Sequence, residues 1–263
     1  MKNKLALLYT FWTGDDVDML IRSIEQHKEH VDMIVVDFQI VSNKGETDNK
    51  ISLDRIRLKK AVMDLDSKGV LISFEPNLSL STKQNERNKH NDMIEVAKHS
   101  GCTHFILSAA DHFYSKEMFD YGKNVTQTTD ADVILTRMRT YYKQDNWILD
   151  PIEEYYMPFI HKLTVNTEIT TRVKYPVVVD PSVKVSTAQK FHIASDEYLM
   201  DHYSMVRMDI EKKFRNAASS IRWTKEDVQT FINEYQNAKV GDSIKYFQGR
   251  KIIEYTKDSI SES

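Results

Sequence analysis

Four short apolar runs punctuate the first half of the chain: Leu5 to Phe11, Met33 to Phe38, Val70 to Phe74 and Phe105 to Leu107. Each has the length of a strand buried on both faces. Between them apolar residues recur at helical spacing, first at Val17, Leu20, Ile21 and Ile24, after a Thr13 to Asp16 break whose acids suit a helix start. The spacing repeats at Ile56, Leu58, Ala61, Val62 and Leu65, and again at Met93, Ile94 and Ala97, a segment closed by Gly101. Strands alternating with helices predict an α/β fold, three layers deep, around a mainly parallel central sheet.

The second half reads differently. Asp132 to Tyr142 predicts a longer strand, and Tyr155 to Val185, interrupted by Pro158, Pro176 and Pro181, predicts antiparallel or loop-rich structure. Leu199, Tyr203, Val206, Ile210, Phe214 and Ala217 trace one face of a helix. Val228, Phe231, Ile232 and Tyr235 trace another, opened by Thr224 with Glu226 and Asp227 in its first turn. The division expected is a main domain over 1–223 with a C-terminal helical extension and tail over 224–263, the tail frayed from Thr256.

Composition narrows the function classes. The 263 residues are 41% hydrophobic and 29% charged, as in a soluble globular protein, and no apolar run has the length of a bilayer span. The amino terminus leads into a strand and helix rather than a cleavage site, so a cytoplasmic location is expected. A single cysteine, Cys102, excludes an internal disulfide framework and a cysteine-built zinc site within one chain. The net charge of −3 gives no overall attraction to polyanions, which leaves only a local stripe, Arg207, Lys212, Lys213, Arg215 and Arg222 with Trp223, as a nucleic-acid candidate. Asp209 and Glu211 interrupt that stripe, and a solvated helix face explains it equally.

The densest candidate chemistry lies in Cys102 to Tyr114, where an apolar strand runs through two alanines into Asp111 and His112. Ligands of open α/β sheets collect outside the carboxyl ends of the strands. An Asp and a His delivered there suit a metal or an anion; a surface turn whose Asp caps a helix from near Ser115 is the plain alternative.

From about residue 4 to 223 this order resembles glycosyltransferases of the GT-A fold, family-two-like, of phage and bacterial type. YTFWTGDD is similar to the opening strand and donor-base loop, VVDF to a second strand whose Asp37 faces the nucleobase, and QNERNKHNDMIEVA to a helix with an Arg87–Asn88 pair. The family's Asp-x-Asp metal motif falls on Ala109, Ala110 and Asp111, without its first acid and with His112 where Glu is usual. Asp201 to Arg207, DHYSMVR, is similar to the late segment whose histidine completes the metal shell, here His202.

The resemblance implies a hexosyltransferase of Rossmann-like GT-A architecture using a nucleotide-diphosphate sugar, a UDP-sugar above all. It implies Mn²⁺ or Mg²⁺ held by Asp111 and His202, with His112 as ligand or as donor to phosphate. Phe11 and Trp12 would face the base, and Arg87, Lys89 and Arg207 would share the diphosphate charge. Arg87 near a helix start, against the dipole, is itself explained by an anion nearby. Asp150, Glu153 and Glu154 are the candidates for a general base, Glu154 first, and a charged surface loop explains them equally. The acceptor is open among DNA carrying modified bases and a saccharide, lipid-linked or protein acceptor. The missing first Asp keeps an alternative alive: a nucleotide-binding protein of the same fold with weak or no turnover.

Overall fold

A computed structural model describes residues 3–12, 16–45, 47, 51–207, 209–216 and 223–256. Thr13 to Asp15, Ala217 and Arg222 lie outside them. The chain divides into two compact units, Met1–Arg137 with Tyr155–Met200, and Met138–Glu154 with Asp201–Ser263.

The first unit carries the expected alternation: β1 (Leu5–Trp12), α1 (Val17–His27), β2 (Met33–Gln39), α2 (Ile51–Met63), β3 (Gly69–Phe74), α3 (Thr82–His99), β4 (His104–Ala109), the two-residue β5 (His112–Phe113) and α4 (Lys116–Thr128). β1 pairs in parallel with β2 on one side and β4 on the other, and β2 pairs in parallel with β3. The chain therefore runs outward from β1 to β3 and returns to place β4 on the opposite side of β1. That return makes the carboxyl ends of β1 and β4 the topological switch point, where such sheets leave a crevice.

Strand parity assigns the two faces. Ala6, Leu8, Met33, Val35, Phe105 and Leu107 pack with Met93, Ile94 and Ala97 of α3, in a core that also holds Cys102. Burial pushes the Cys102 thiol above its usual range. On the other face Tyr9 hydrogen-bonds to Ser23 of α1, beside the fully buried Leu20 and Ile24.

Beyond β4 the sheet turns antiparallel, through β8 (Tyr156–Lys162) to the first half of β6 (Val133–Tyr142), which also pairs in parallel with β9 (Phe191–Ile193). The register slips between Ile134 and Leu135, and Leu135 is the residue opposite Pro158. A proline has no N–H to give the ladder, and an irregularity is where a central strand tolerates one.

In the second unit, β7 (Trp147–Asp150) pairs with the second half of β6, β12 (Arg250–Glu254) with β7, and β11 (Ser243–Ile244) with β12, all antiparallel. α5 (Ile210–Asn216) and α6 (Lys225–Asn237) supply Ile210, Phe214, Ile232 and Tyr235 to its core. Thr224 and Asp227 form a capping box at the start of α6, as the sequence predicts. Trp223 packs edge-on against Phe214, Phe231 and Tyr246 at 5.4–6.0 Å, so it serves as a core aromatic.

One predicted helix is corrected. Residues 200–205 form β10 (Met200–Met205), and helix begins only at Ile210, after Asp209, whose carboxylate accepts from the Lys212 N–H. Asp201 and Tyr203, two apart, both face β6 neighbours: Asp201 meets Arg139 at 3.1 Å and Tyr203 stacks on Tyr141 at 4.2 Å. That period of two belongs to a strand.

Gly69 opens β3 where α2 presses closest: a Cβ there would stand 2.2 Å from the Val62 carbonyl oxygen. Gly69→Ala is expected to cost roughly 1–3 kcal/mol, as overpacking of a close backbone contact does. Thermal denaturation followed by circular dichroism measures it, and an unchanged midpoint would contradict that contact.

Candidate functional site

Asp111 and His112 follow β4 directly, on the β4 side of the switch point. The helix after them is capped by Ser115, which accepts from the Met118 N–H. Capping therefore does not explain Asp111. Asp111 is 6% exposed, unusual for a carboxylate, and its Oδ1 lies 3.8 Å from His112 Nε2. The Ala109 N–H donates to His112 Nδ1 at 3.3 Å, so a neutral His112 keeps its proton on Nε2. In that state the ring is a donor toward an anion; a cation taking Nε2 displaces the proton. Gln26 of α1 donates to the Tyr114 carbonyl at 3.0 Å and ties the far end of the turn to the helix.

Across β1, Asp37 sits near the end of β2 with no solvent exposure, and its carboxylate has no well-formed hydrogen bond, only an approach from the Phe74 backbone. Burial pushes it up to about 7; Lys89 draws it down in part, while Asp92 and Glu86 add to the rise. A buried carboxyl without a full set of partners is costly to a fold.

Beside Asp37 lies a polar network that the sequence conceals. Lys89 Nζ donates to Gln39 Oε1 at 3.2 Å and meets Glu86 at 3.1 Å. Gln39 Nε2 donates to the Val41 carbonyl and to Asn43 Oδ1, and Asn43 Nδ2 donates to Glu86. Despite burial, which opposes it, the charges of Lys89 and His90 hold the Glu86 carboxyl below its usual range. The available signal was Glu86, Lys89 and His90 at i, i+3 and i+4 on α3, a spacing that ordinarily marks a solvated helix face.

The other predicted residues are placed as follows. Phe11 is 1% exposed and packs on Phe38 at 6.1 Å, while Trp12, the last residue of β1, is half-buried. Trp12 is thus the aromatic available at the end of β1. α3 begins at Thr82 under a Ser81–Gln84 capping box, which puts Arg87 in the second turn rather than the first. The dipole argument for an anion at Arg87 lapses with that placement; Arg87 is half-buried and Asn88 exposed.

In the second unit, His202 and Arg207 are half-buried, and Arg207 Nε donates to the Ser204 carbonyl at 3.0 Å. Asp150 and Glu154 are exposed, whereas Glu153 accepts a hydrogen bond from the Thr140 hydroxyl. Arg139 bridges Asp201 at 3.1 Å and lies 4.4 Å over the Tyr255 ring, beside the stacked Tyr141 and Tyr203.

No protein-family model and no curated protein matches this sequence. Solved structures that it resembles include S. aureus TarS 1–349, at 11% identity and a TM-score of 0.47, covering 81% of this chain and 62% of that one. The same fragment in complex with UDP-GlcNAc is 12% identical with a TM-score of 0.46, covering 76% of this chain and 58% of that one. Its complex with UDP is 10% identical, with a TM-score of 0.47 and coverage of 89% and 71%. Likeness at this level says nothing of what this chain binds.

Asp37 makes a measurable claim. Between the ordinary aspartate value of roughly 3.9 and about 7 the folded state holds more protons than the unfolded one, so stability falls as pH rises across that window. Asp37→Asn is expected to melt above the parent at pH 8 and to match it near pH 4. A difference that stays constant over that range would place Asp37 at an ordinary value.

Proposed function

We propose that this chain is a metal-assisted glycosyltransferase of GT-A type, with a nucleotide-diphosphate sugar as donor, a UDP-sugar foremost. The observation that carries the reading is the Asp111–His112 turn at the β1/β4 switch point of a parallel sheet ordered β3-β2-β1-β4. The resemblance of YTFWTGDD, VVDF and DHYSMVR to that family's segments supports it.

One carboxylate oxygen and one imidazole nitrogen 3.8 Å apart fit Mn²⁺ or Mg²⁺ that draws its remaining oxygens from a diphosphate. Asp111 would hold the ion; His202, assigned from the family segment, is its proposed partner, and His112 joins either as ligand or as Nε2–H donor to a phosphate oxygen. When bound, the cation would neutralise the charge that develops on the departing diphosphate.

Trp12 would stack on the nucleobase, and Asp37, which has no solvent exposure, would accept a base N–H only once the strand end around it opens. Arg87, Lys89 and Arg207 are proposed to share the diphosphate charge. Glu154, with Asp150 as second choice, is proposed to take the proton of the acceptor hydroxyl. The hydroxyl belongs to DNA, a saccharide or a protein in this reading, and hydrolysis of the donor by water serves as the acceptor-free assay.

Ala109, where the family carries its first Asp, favours one second reading: a nucleotide-binding protein of this fold without turnover. Donor hydrolysis separates the two. The enzyme reading expects release of nucleoside diphosphate that a chelator stops and Mn²⁺ restores. It also expects Asp111→Ala and His202→Ala each to lower turnover by about 10²–10³-fold, the scale of losing one preorganised electrostatic contact. Undiminished turnover in both variants would refute it.

A further inference from the structure

The Asp111–His112 turn is held by hydrogen bonds whose directions are all determined. Tyr114 contributes a backbone N–H, which can only donate, and it reaches His27 Nε2 at 3.0 Å. Nε2 must therefore present its lone pair, which puts the ring proton on Nδ1, 2.7 Å from the Tyr9 hydroxyl. At the other end the His112 carbonyl can only accept, and it takes the Ser23 hydroxyl proton at 3.0 Å. Ser23 is left to accept, and the Tyr9 hydroxyl, 2.8 Å away, supplies the proton. The sequence of donors runs from Tyr114 N–H to His27, from His27 Nδ1–H to Tyr9, from Tyr9 to Ser23, and from Ser23 to the His112 carbonyl. It leaves the turn at residue 114 and returns to it at residue 112.

We propose that His27, fixed as the Nδ1–H tautomer, is a positioning residue: with Tyr9 and Ser23 it closes a one-way ring that sets the backbone of the turn presenting Asp111 and His112. This rests on the reading of that turn as the cation and diphosphate site. Ser23 and His27 are four apart on α1, hence on one face, and Tyr9 stands on the strand beneath; all three have no solvent exposure. The His27 ring packs among Tyr114 at 5.4 Å, Phe119 at 5.5 Å and Phe113 at 6.0 Å. Burial, with His30 nearby, holds the ring at about 3, far below the ordinary imidazole range, so it stays neutral. None of the three approaches solvent, so their effect on a ligand passes through the turn. Groups that orient ligating residues from behind carry much of a metal site's affinity.

The test uses the full chain, Mn²⁺ alone as the probe, and four variants: Tyr9→Phe, Ser23→Ala, His27→Phe and His27→Gln. The ¹⁵N shifts of His27 are expected to show the Nδ1–H tautomer. Tyr9→Phe and Ser23→Ala, each losing one oxygen, are expected to fold as the parent does and to bind Mn²⁺ roughly tenfold more weakly, the lower end of the effect of such supporting groups. His27→Phe is expected to bind more weakly still and to exchange the Tyr114 amide faster, and His27→Gln, whose amide oxygen can take the Tyr114 N–H, to recover part of both losses. If His27→Phe does not fold, the two single-oxygen variants carry the test.

An Nε2–H tautomer would overturn the proposal, as would parental Mn²⁺ affinity in both single-oxygen variants. Absence of Mn²⁺ binding by the unmodified chain refutes the metal reading instead, and the tautomer and the Tyr114 exchange rates then decide the ring by themselves.

Discussion

β1 is hydrogen-bonded in parallel on both sides and covered on both faces. Its register with β2 and β4 brings Trp12 level with Gln39 and Thr10 level with Ala109. Asp37, Trp12 and the Asp111–His112 turn thus gather at one end of the first unit because three ladders share a direction, and parallel ladders fix where strands finish as firmly as where they begin. The opposite termini of the same strands meet tight turns, where Asp32 accepts the Leu5 N–H and Thr103 accepts the Lys4 N–H. Chemistry and anchoring are thereby placed at opposite ends of one sheet.

The helices serve both ends of that arrangement. α3 buries Met93, Ile94 and Ala97 under the sheet in its carboxyl half, and in its amino half turns Asn85, Lys89 and His90 inward. Asn85 ties down the preceding loop through both atoms of its amide, which meet the backbone of Asn77. α1 does the same for the turn after β4 through Ser23, Gln26 and His27. Apart from the exposed Gln26 these polar residues are buried, which looks like an energetic liability, but each is paired, and paired groups confer a defined geometry.

What could be read from the sequence follows the same physics. β1, β2 and β4 are buried on both faces and so spell continuous apolar runs, which made the parallel sheet and the place of Asp111 legible. Met200–Met205 escaped because its apolar residues, with Leu199 and Val206 as flanks, fall at helical intervals, while the ladder that makes it a strand is with β6, about sixty positions away. Phe11 looked like a ligand surface, but parity sets it beside Leu7 and Tyr9 on a covered face. The network around Lys89 was hidden for a related reason: charged residues on a helix are read as wet, and only the neighbouring strand end reveals that these are not.

The solitary Cys102 has a practical corollary. Its thiol is enclosed between α3 and β4 of the first unit, while Trp147 and Trp223 belong to the second, where Trp223 sits in a cluster of rings. Trp12 shares the first unit with Cys102, so in a Trp12→Phe chain alkylation kinetics and indole fluorescence would report on separate halves of the molecule. Whether the halves come apart together or in succession could be followed without introducing a single label.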